Sequence, residues 1–105
     1  MNIAKMMQQA NKMQNDVKAL QEKLNQTDID STLSGIAITM TVGTKQLKKL
    51  SIDAGLIDPT DKETLEDLLI AAINQAQVKA DEMSAAETQK IMGGLQLPAG
   101  MKLPF

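Results

Sequence analysis

Residues 36–42 read Ile-Ala-Ile-Thr-Met-Thr-Val, and this alternation of large apolar residues with alanine and threonine decides the fold. Side chains of a strand point alternately to its two faces, so the run predicts a half-buried antiparallel strand from Ile36 to Val42. Gly43-Thr44 supplies a turn, and Gln46 to Asp53 is expected to return as a second strand. Three residues of the return strand are expected to share one face: Lys48, Leu50 and Ile52.

The segment before this hairpin is ambiguous. Thr27 to Ser31 breaks the helical pattern that precedes it, and Gly35 begins a new element. From its residues alone, Ile29 to Leu33 could be either a short strand or a loop.

A long helix is expected from Asn2 to Asn25, because apolar residues recur there in alternating steps of three and four. At ~1.5 Å per residue the helix would be about 35 Å long, too long for so small a body to cover. Part of it should therefore project or pair with another subunit. The apolar positions form a narrow heptad seam, which is typical of helix-on-helix packing: Ile3, Met6, Ala10, Met13, Val17, Leu20 and Leu24.

A second long helix is expected to open at Thr60. Thr60 and Glu63 have the spacing of a capping box, and acidic residues crowd the first turn, where the helix dipole favours negative charge. Helical spacing continues to about Gln89, and Gly93-Gly94 should end the helix. Its apolar positions are Leu65, Leu68, Leu69, Ala72, Ile73, Ala76, Ala80 and Met83.

The composition limits the protein to one small domain with an aliphatic core. The chain has 105 residues, and its single aromatic residue is Phe105. There is no cysteine, no apolar run of the ~18 residues that a membrane span needs, and no compact apolar stretch typical of a secretory signal. A cytoplasmic location without membrane contact is expected.

The charge pattern limits how the chain could bind nucleic acid. The net charge is −2, but residues 1–27 hold four lysines and two acids, whereas residues 53–90 hold three lysines and nine acids. All eleven basic residues are lysine, so the bidentate arginine fork that recognises guanine is missing. Without internal aromatic residues, base stacking is unavailable as well. Any nucleic-acid contact should be made to the duplex backbone by lysine.

An enzyme is not expected. The chain lacks His, Cys, Tyr and Trp, and it contains no phosphate-binding loop, nucleophile elbow or metal-ligand spacing. Glu63, Glu66 and Asp67 lie together, but acids at a helix start are explained by the dipole. We expect no catalytic residues, no cofactor, no metal and no small-molecule substrate.

Lysines of the first helix lie beside the apolar seam. Lys5 and Lys12 are seven residues apart, Lys18 is expected on the adjoining row, and Lys23 follows. From the residues alone, a solvated helix face is the preferred interpretation. A separate cluster, Lys45, Lys48 and Lys49, is interpreted as protection of a sheet edge against pairing.

The last twelve residues, Gly94 to Phe105, contain two prolines and two glycines and fit neither a helix nor a central strand. Together with residues 61–76 (Asp-Lys-Glu-Thr-Leu-Glu-Asp-Leu-Leu-Ile-Ala-Ala-Ile-Asn-Gln-Ala) and the Ile52-Asp53 and Leu56-Ile57 junction, this segment resembles the YbaB/EbfC family of small bacterial nucleoid-associated DNA-binding proteins. The resemblance covers nearly the whole chain. It implies an α+β fold in the order α-β-β-β-α, with one domain over residues 1–93 and a flexible tail over 94–105.

The resemblance also implies function. Family members are tweezer-like homodimers whose projecting helices are implicated in gripping double-stranded DNA. It therefore implies that lysines of the two helices contact phosphate: Lys5, Lys12, Lys18, Lys23, Lys79 and Lys90. Such a nucleoid-associated protein would alter DNA conformation and affect gene expression. The alternative is a dimeric adaptor that holds a protein partner with its methionine-rich helices and tail.

Overall fold

The computed structural model describes residues 2–92, which form an α+β structure in the order α-β-β-β-α. The two long helices and the hairpin agree with the sequence periodicity, and the third strand agrees with the family resemblance. The element bounds are α1 Ile3–Leu24, β1 Asp28–Leu33, β2 Ile36–Thr41, β3 Leu47–Ile52 and α2 Lys62–Met92, with one 3-10 turn at Ala54–Leu56.

The three strands form one antiparallel sheet in the order β1-β2-β3. A two-residue turn, Ser34-Gly35, joins β1 to β2, and both residues have positive φ, 49° and 88°. This is the combination that tight hairpins favour, because it matches the twist of the flanking strands. The ambiguous segment before Gly35 is thus a strand.

β2 supplies the centre of the core. Its predicted inward residues, Ile36, Ile38, Met40 and the following Val42, are all at most 2% exposed. Thr41 lies on the predicted outward face, where its hydroxyl donates at 3.3 Å to Asp28, its partner in the strand pair, although Thr41 itself is buried. The predicted alternation therefore holds through the strand.

The expectation that Lys48 shares a face with Leu50 and Ile52 is wrong. The register between β2 and β3 shifts at Thr39/Met40, so Met40 pairs with Leu47 while Thr39 pairs with Lys49. An extra residue in one strand turns its side chains locally. Lys48 therefore reaches the Asp28 carboxylate, 3.1 Å away.

α2 begins two residues later than the predicted start at Thr60. The Thr60 hydroxyl donates to Asp58 at 2.7 Å instead of capping the helix, and the Thr60 amide donates to the same carboxylate oxygen at 3.0 Å. An aspartate that bonds to the backbone two residues ahead stabilises a turn rather than a helix. At the other end, α2 continues past Gln89 to Met92. The predicted Gly93-Gly94 stop and the 94–105 tail lie outside the described residues.

Three alanines place α2 on the sheet. Ala72, Ala76 and Ala80 recur every fourth residue, are at most 2% exposed, and belong to the same core as the apolar residues of β2. Residues four apart lie on one side of a helix, and their small side chains allow the helix backbone to lie close to the strands. α2 packs on β1 and β2.

The apolar seam of α1 is buried at its C-terminal end and exposed at its N-terminal end. Leu20 and Leu24 are buried in the core, whereas Ile3 is 72% exposed and Met6 is 51% exposed. Only the second half of α1 packs on α2, so the first half projects, as its length predicted. No helix within residues 2–92 combines the length and apolar character that crossing a bilayer requires.

Gly43 fixes α1 to the sheet. Its amide donates to the Leu24 carbonyl at 2.9 Å, and the Val42 amide donates to the Thr27 carbonyl at 2.8 Å. A Cβ at Gly43 would lie 2.8 Å from the Leu24 carbonyl carbon and 2.7 Å from the Asn25 nitrogen. Glycine is needed here for close backbone approach, and the contact sets the direction in which α1 leaves the sheet.

We expect Gly43→Ala to lower the free energy of unfolding by about 1–3 kcal/mol, because backbone atoms must move to admit the new methyl group. Chemical denaturation measures the change. Gly55→Ala is the matched control, since its Cβ would meet no atom closer than 3.9 Å. Equal stability of the two variants would contradict the assignment of Gly43 as a packing point.

Candidate nucleic-acid interface

Three lysines of α1 lie on one row. At ~100° per residue, Lys5, Lys12 and Lys23 fall within about 20° of one another around the helix. Lys18 lies about 140° away on the same scale, so it projects from the other side of the seam rather than from an adjoining row. All four residues are exposed. We call Lys5, Lys12 and Lys23 the lysine row.

Lys5 occupies a position that helix stability does not explain. It lies in the first turn of α1, where the helix dipole favours acids, and that turn contains no acid. The Asn2 side chain caps the helix by accepting from the Lys5 amide at 3.3 Å. The free end of α1 therefore combines a lysine charge with the positive end of the helix dipole.

The lysines of the row differ in whether an acid of α2 lies near them. Lys5 and Lys12 form no salt bridge with any of residues 2–92. Lys23 lies near Glu87 of α2, close enough for its charge to influence that carboxylate. Within the lysine row, Lys5 and Lys12 on the projecting half of α1 are therefore the cations that no acid of α2 approaches.

The two candidate lysines of α2 already have partners. Lys79 donates to the backbone carbonyl of Asp30 in β1, and Lys90 pairs with Glu87 at 3.1 Å. The structure thus does not bring Lys79 together with the lysine row. Lys90 does approach Lys23, because both line a cavity of about 300 Å³ between the helices, with Asp16 and Glu87 at the same cavity.

Glu87 is the residue that sequence reasoning left out of the site. The hydrogen bond from the Lys90 ammonium lowers the pKa of the Glu87 carboxyl below its usual value, and the charges of Lys90 and Lys23 act in the same direction. The signal was available as the Glu87–Lys90 spacing of three residues on one helix. The contact with Lys23 required the packing of α1 on α2.

Two of the three lysines near the hairpin also form ion pairs. Lys45 forms an ion pair with Asp81 of α2, and Lys48 pairs with Asp28 of β1. These contacts tie the β2–β3 connection to α2 and β3 to β1. Lys45 and Lys48 thus have structural contacts, and protection of the sheet edge by the cluster stays a prediction.

The chain is thus a small α+β protein whose first helix carries exposed lysines, and the family comparison identifies its class. The model of the YbaB/EbfC DNA-binding family matches residues 1–95. The chain belongs to the YbaB/EbfC family.

Two relatives support the family assignment, and one solved structure supports the fold. A nucleoid-associated protein of Granulibacter bethesdensis is 45% identical over 105 residues, which cover 99% of this chain and 98% of the relative. A nucleoid-associated protein of Acetivibrio thermocellus is 43% identical over 95 residues, which cover 90% and 84%. The crystal structure of HP0035, an uncharacterized protein from Helicobacter pylori, matches with a TM-score of 0.73 at 21% identity, covering 89% of this chain and 99% of that one. At that identity the likeness shows the fold alone.

We expect Lys90→Gln to raise the pKa of Glu87 toward its usual value, as measured by NMR titration of the side-chain carboxyl carbon. The folded-state pKa is lowered, so the stabilisation from this pair is present above the unfolded-chain pKa and is lost as the pH falls through the folded value. Asp58 is the matched control, because its pKa is lowered by hydrogen bonds from Thr60. An unchanged Glu87 pKa in Lys90→Gln would contradict the pairing.

Proposed function

We propose that this chain is a non-enzymatic, nucleoid-associated protein that binds double-stranded DNA as a homodimer through lysine contacts to the phosphate backbone. The single observation that carries the proposal is the part of the lysine row on the projecting half of α1, Lys5 and Lys12. Lys5 and Lys12 are exposed there without a salt bridge to residues 2–92. Family membership and the names of the relatives support DNA as the partner.

The proposed mechanism is electrostatic. Each lysine that contacts a phosphate releases condensed counterions, which favours binding at low salt and weakens it as salt rises. The chain has no arginine and no aromatic residue before Phe105, so it carries no side chain suited to bidentate guanine recognition or base stacking. Sequence preference would come from DNA shape and deformability.

The proposed homodimer would determine how the two α1 helices are placed on a DNA duplex. One α1 presents Lys5 and Lys12 about 10 Å apart along its axis, which is a short contact on a duplex. Two copies would present two such helices as the arms of a tweezer, and binding of the first arm raises the effective concentration of the second. Paired contacts of this kind would bend or bridge DNA, with consequences for gene expression and nucleoid organisation in the cytoplasm.

The double charge reversal Lys5→Glu/Lys12→Glu should weaken binding to a duplex by more than about tenfold at low salt, because phosphate contacts are replaced by repulsion. Gel-shift titrations at several salt concentrations measure this. The slope of log affinity against log salt should become shallower by ~0.9 for each phosphate that the variant protein no longer neutralises.

A single reversal provides the matched control. Lys12→Glu and Lys62→Glu change the net charge equally, but Lys62 begins α2 at the end remote from α1. Lys62→Glu should leave the affinity and the salt slope nearly unchanged. If both variants weaken binding alike, overall charge rather than the lysine row is responsible. If neither does, the row is not the site.

A second candidate function rests on a different observation. Met6 and Met7 are exposed on α1, and exposed methionines suit adaptable helix-binding surfaces. The alternative is therefore a dimeric adaptor for a protein partner, with DNA contact incidental.

Deletion of residues 95–105, compared with the full chain, separates the two candidates. If the protein is an adaptor that uses its tail, pull-downs should lose a protein partner while duplex affinity stays intact. If it acts on DNA, the deletion should leave the pull-down pattern unchanged. In that case the lysine variants above, not the deletion, should control the activity.

A further inference from the structure

The apolar seam of α1 continues beyond the part that α2 covers. Its buried part ends at Leu20, whereas Met13 is half-buried, Met6 is 51% exposed and Ile3 is 72% exposed. The uncovered part is about 20 Å long, because residues 3–16 rise ~1.5 Å each along the helix axis. An apolar stripe of this length is unfavourable in water, so a segment that covers it gains stability.

A groove widens this stripe on one side. It has a volume of about 450 Å³, and Met13 and Val17 form its apolar part. Gln14, Lys18 and Gln21 complete the lining, which belongs to α1 alone, so the groove is an open face of the helix. We give the name arm seam to the apolar residues Ile3, Met6, Ala10, Met13 and Val17.

α2 ends beside the point at which the arm seam loses its cover. Ile91, in the last turn of α2, lines the cavity between the helices together with Asp16 of α1. Leu24 and Ala80 lie in the core, so both helices leave the sheet in the same direction and meet again at this cavity. The chain that follows Met92 therefore starts next to the uncovered part of the seam.

The sequence that follows α2 is apolar enough to cover the seam. Residues 95–105 read Leu-Gln-Leu-Pro-Ala-Gly-Met-Lys-Leu-Pro-Phe, with five large apolar residues, one lysine and no acid. Linkers and disordered segments are typically rich in small polar or charged residues and poor in large apolar ones. Five large apolar side chains in eleven residues instead suit a segment that packs against another surface.

The spacing of these apolar residues suits a groove. Met101, Leu103 and Phe105 alternate with Lys102 and Pro104, and the prolines exclude a continuous helix. Alternate side chains of an extended chain point to the same side. In an extended conformation the three apolar side chains would therefore share one face, and the lysine would lie on the opposite face, toward water.

The length of the segment fits the length of the seam. Residues 93–105 provide thirteen residues, and an extended chain spans at most ~3.3–3.6 Å per residue, which gives about 45 Å. This is about twice the ~20 Å of the uncovered seam. The excess leaves room for a turn, and Leu97-Pro98-Ala99-Gly100 has proline and glycine at the second and fourth positions, as type I turns favour.

We propose that residues 95–105 dock on the arm seam of their own chain. The segment is joined to α2 beside the seam, so its effective concentration there is on the order of millimolar, which a second copy does not reach at micromolar protein concentration. Lys5 and Lys12 are turned about 100° around the helix from their neighbours Met6 and Met13, so they stay exposed. The inference goes beyond the proposed function, because it depends on neither DNA nor a homodimer.

Methionine methyl signals in NMR spectra test the docking directly. In protein with ¹³C-labelled methionine methyl groups, deletion of residues 95–105 should shift the signals of Met6 and Met13, because their surroundings change from apolar side chains to water. Met40, which is 1% exposed in the core, and Met83, which is 37% exposed on α2, are internal controls whose signals should stay in place. If the Met6 and Met13 signals do not move, the proposal is wrong.

The single aromatic residue of the chain provides a second test. A phenylalanine ring that packs on a methionine displaces its methyl signal through the ring current, and sulfur–aromatic contacts are favourable. Phe105→Leu keeps an apolar side chain but removes the ring, so it should shift the signal of Met6 or Met13. Gln96→Ala, in the same segment, is the matched control and should shift neither. Equal responses to the two variants would contradict the burial of Phe105 on the seam.

A substitution in the seam tests the contact from the other side. Met6→Gln should move the methyl signal of Met101 toward its position in a free peptide of residues 93–105, because the seam becomes polar. Met7→Gln is the matched control, since Met7 is 61% exposed but is turned about 100° from Met6. Circular dichroism confirms that both variants are folded. A Met101 signal that is the same in the two variants would contradict docking at Met6.

A mixing experiment separates docking within one chain from docking on a second copy. Labelled chain that lacks residues 95–105 is mixed with unlabelled full-length chain, and the Met6 and Met13 signals should stay where the deletion placed them. Movement back toward the full-length positions would show that the segment docks on another copy, which overturns the proposal.

Gel shifts on the same proteins distinguish this inference from the proposed function. The deletion should leave duplex affinity unchanged, because Lys5 and Lys12 lie beside the docked segment and not under it. A full-length chain with no affinity for a duplex would overturn the DNA proposal, whereas shifted Met6 and Met13 signals in the deletion variant would still support the docking.

Discussion

The contact between the alanine row of α2 and the apolar face of β2 determines the rest of the molecule. Ala72, Ala76 and Ala80 allow close approach, and the core around them contains no aromatic residue. A core of this size can hold one helix against about two strands. The remaining apolar surface, on β3 and on the first half of α1, is not covered by α2. The proposed contacts with DNA and with residues 95–105 both use the part of α1 that this packing leaves free.

The spacing of apolar residues was sufficient to predict the strand and the two helices that each bury one face. The alternation of residues 36–42 and the three-and-four spacing of both helices follow from burial of one face. β1 was ambiguous because Asp28 and Asp30 are poor strand formers, and tertiary contacts overcome this: the Thr39 hydroxyl donates to Asp30 at 2.7 Å, and Lys48 pairs with Asp28. The signal that was missed is Ser34-Gly35, a pair typical of two-residue hairpins.

Local interactions that compete with the predicted ones explain the errors in the start of α2 and in the face of Lys48. Thr60 has the spacing of a capping residue. However, Asp58 lies two residues before it, and its carboxylate accepts hydrogen bonds from both the amide and the hydroxyl of Thr60. The face of Lys48 depended on a register shift that alternation within one strand cannot reveal. For the candidate site, the sequence identified the cations but not their partners. That Lys79 would bind a β1 carbonyl and Lys90 a carboxylate depends on packing between distant segments and on side-chain geometry.

The net charge of −2 is a poor measure of what a duplex would encounter. The acids of the first turns of α2, such as Glu63 and Glu66, lie about 38–42 Å along the helix from Ile91, where α2 meets α1. Exposed charges at physiological salt are screened beyond ~8 Å, so these acids have little influence on Lys5 or Lys12. Closer acids lie nearer the base of α1: Glu87 pairs with Lys90, and Asp16 lines the same cavity one turn after Lys12. The only charged side chains of residues 2–15 are Lys5 and Lys12, so a slightly anionic protein can present a locally cationic arm.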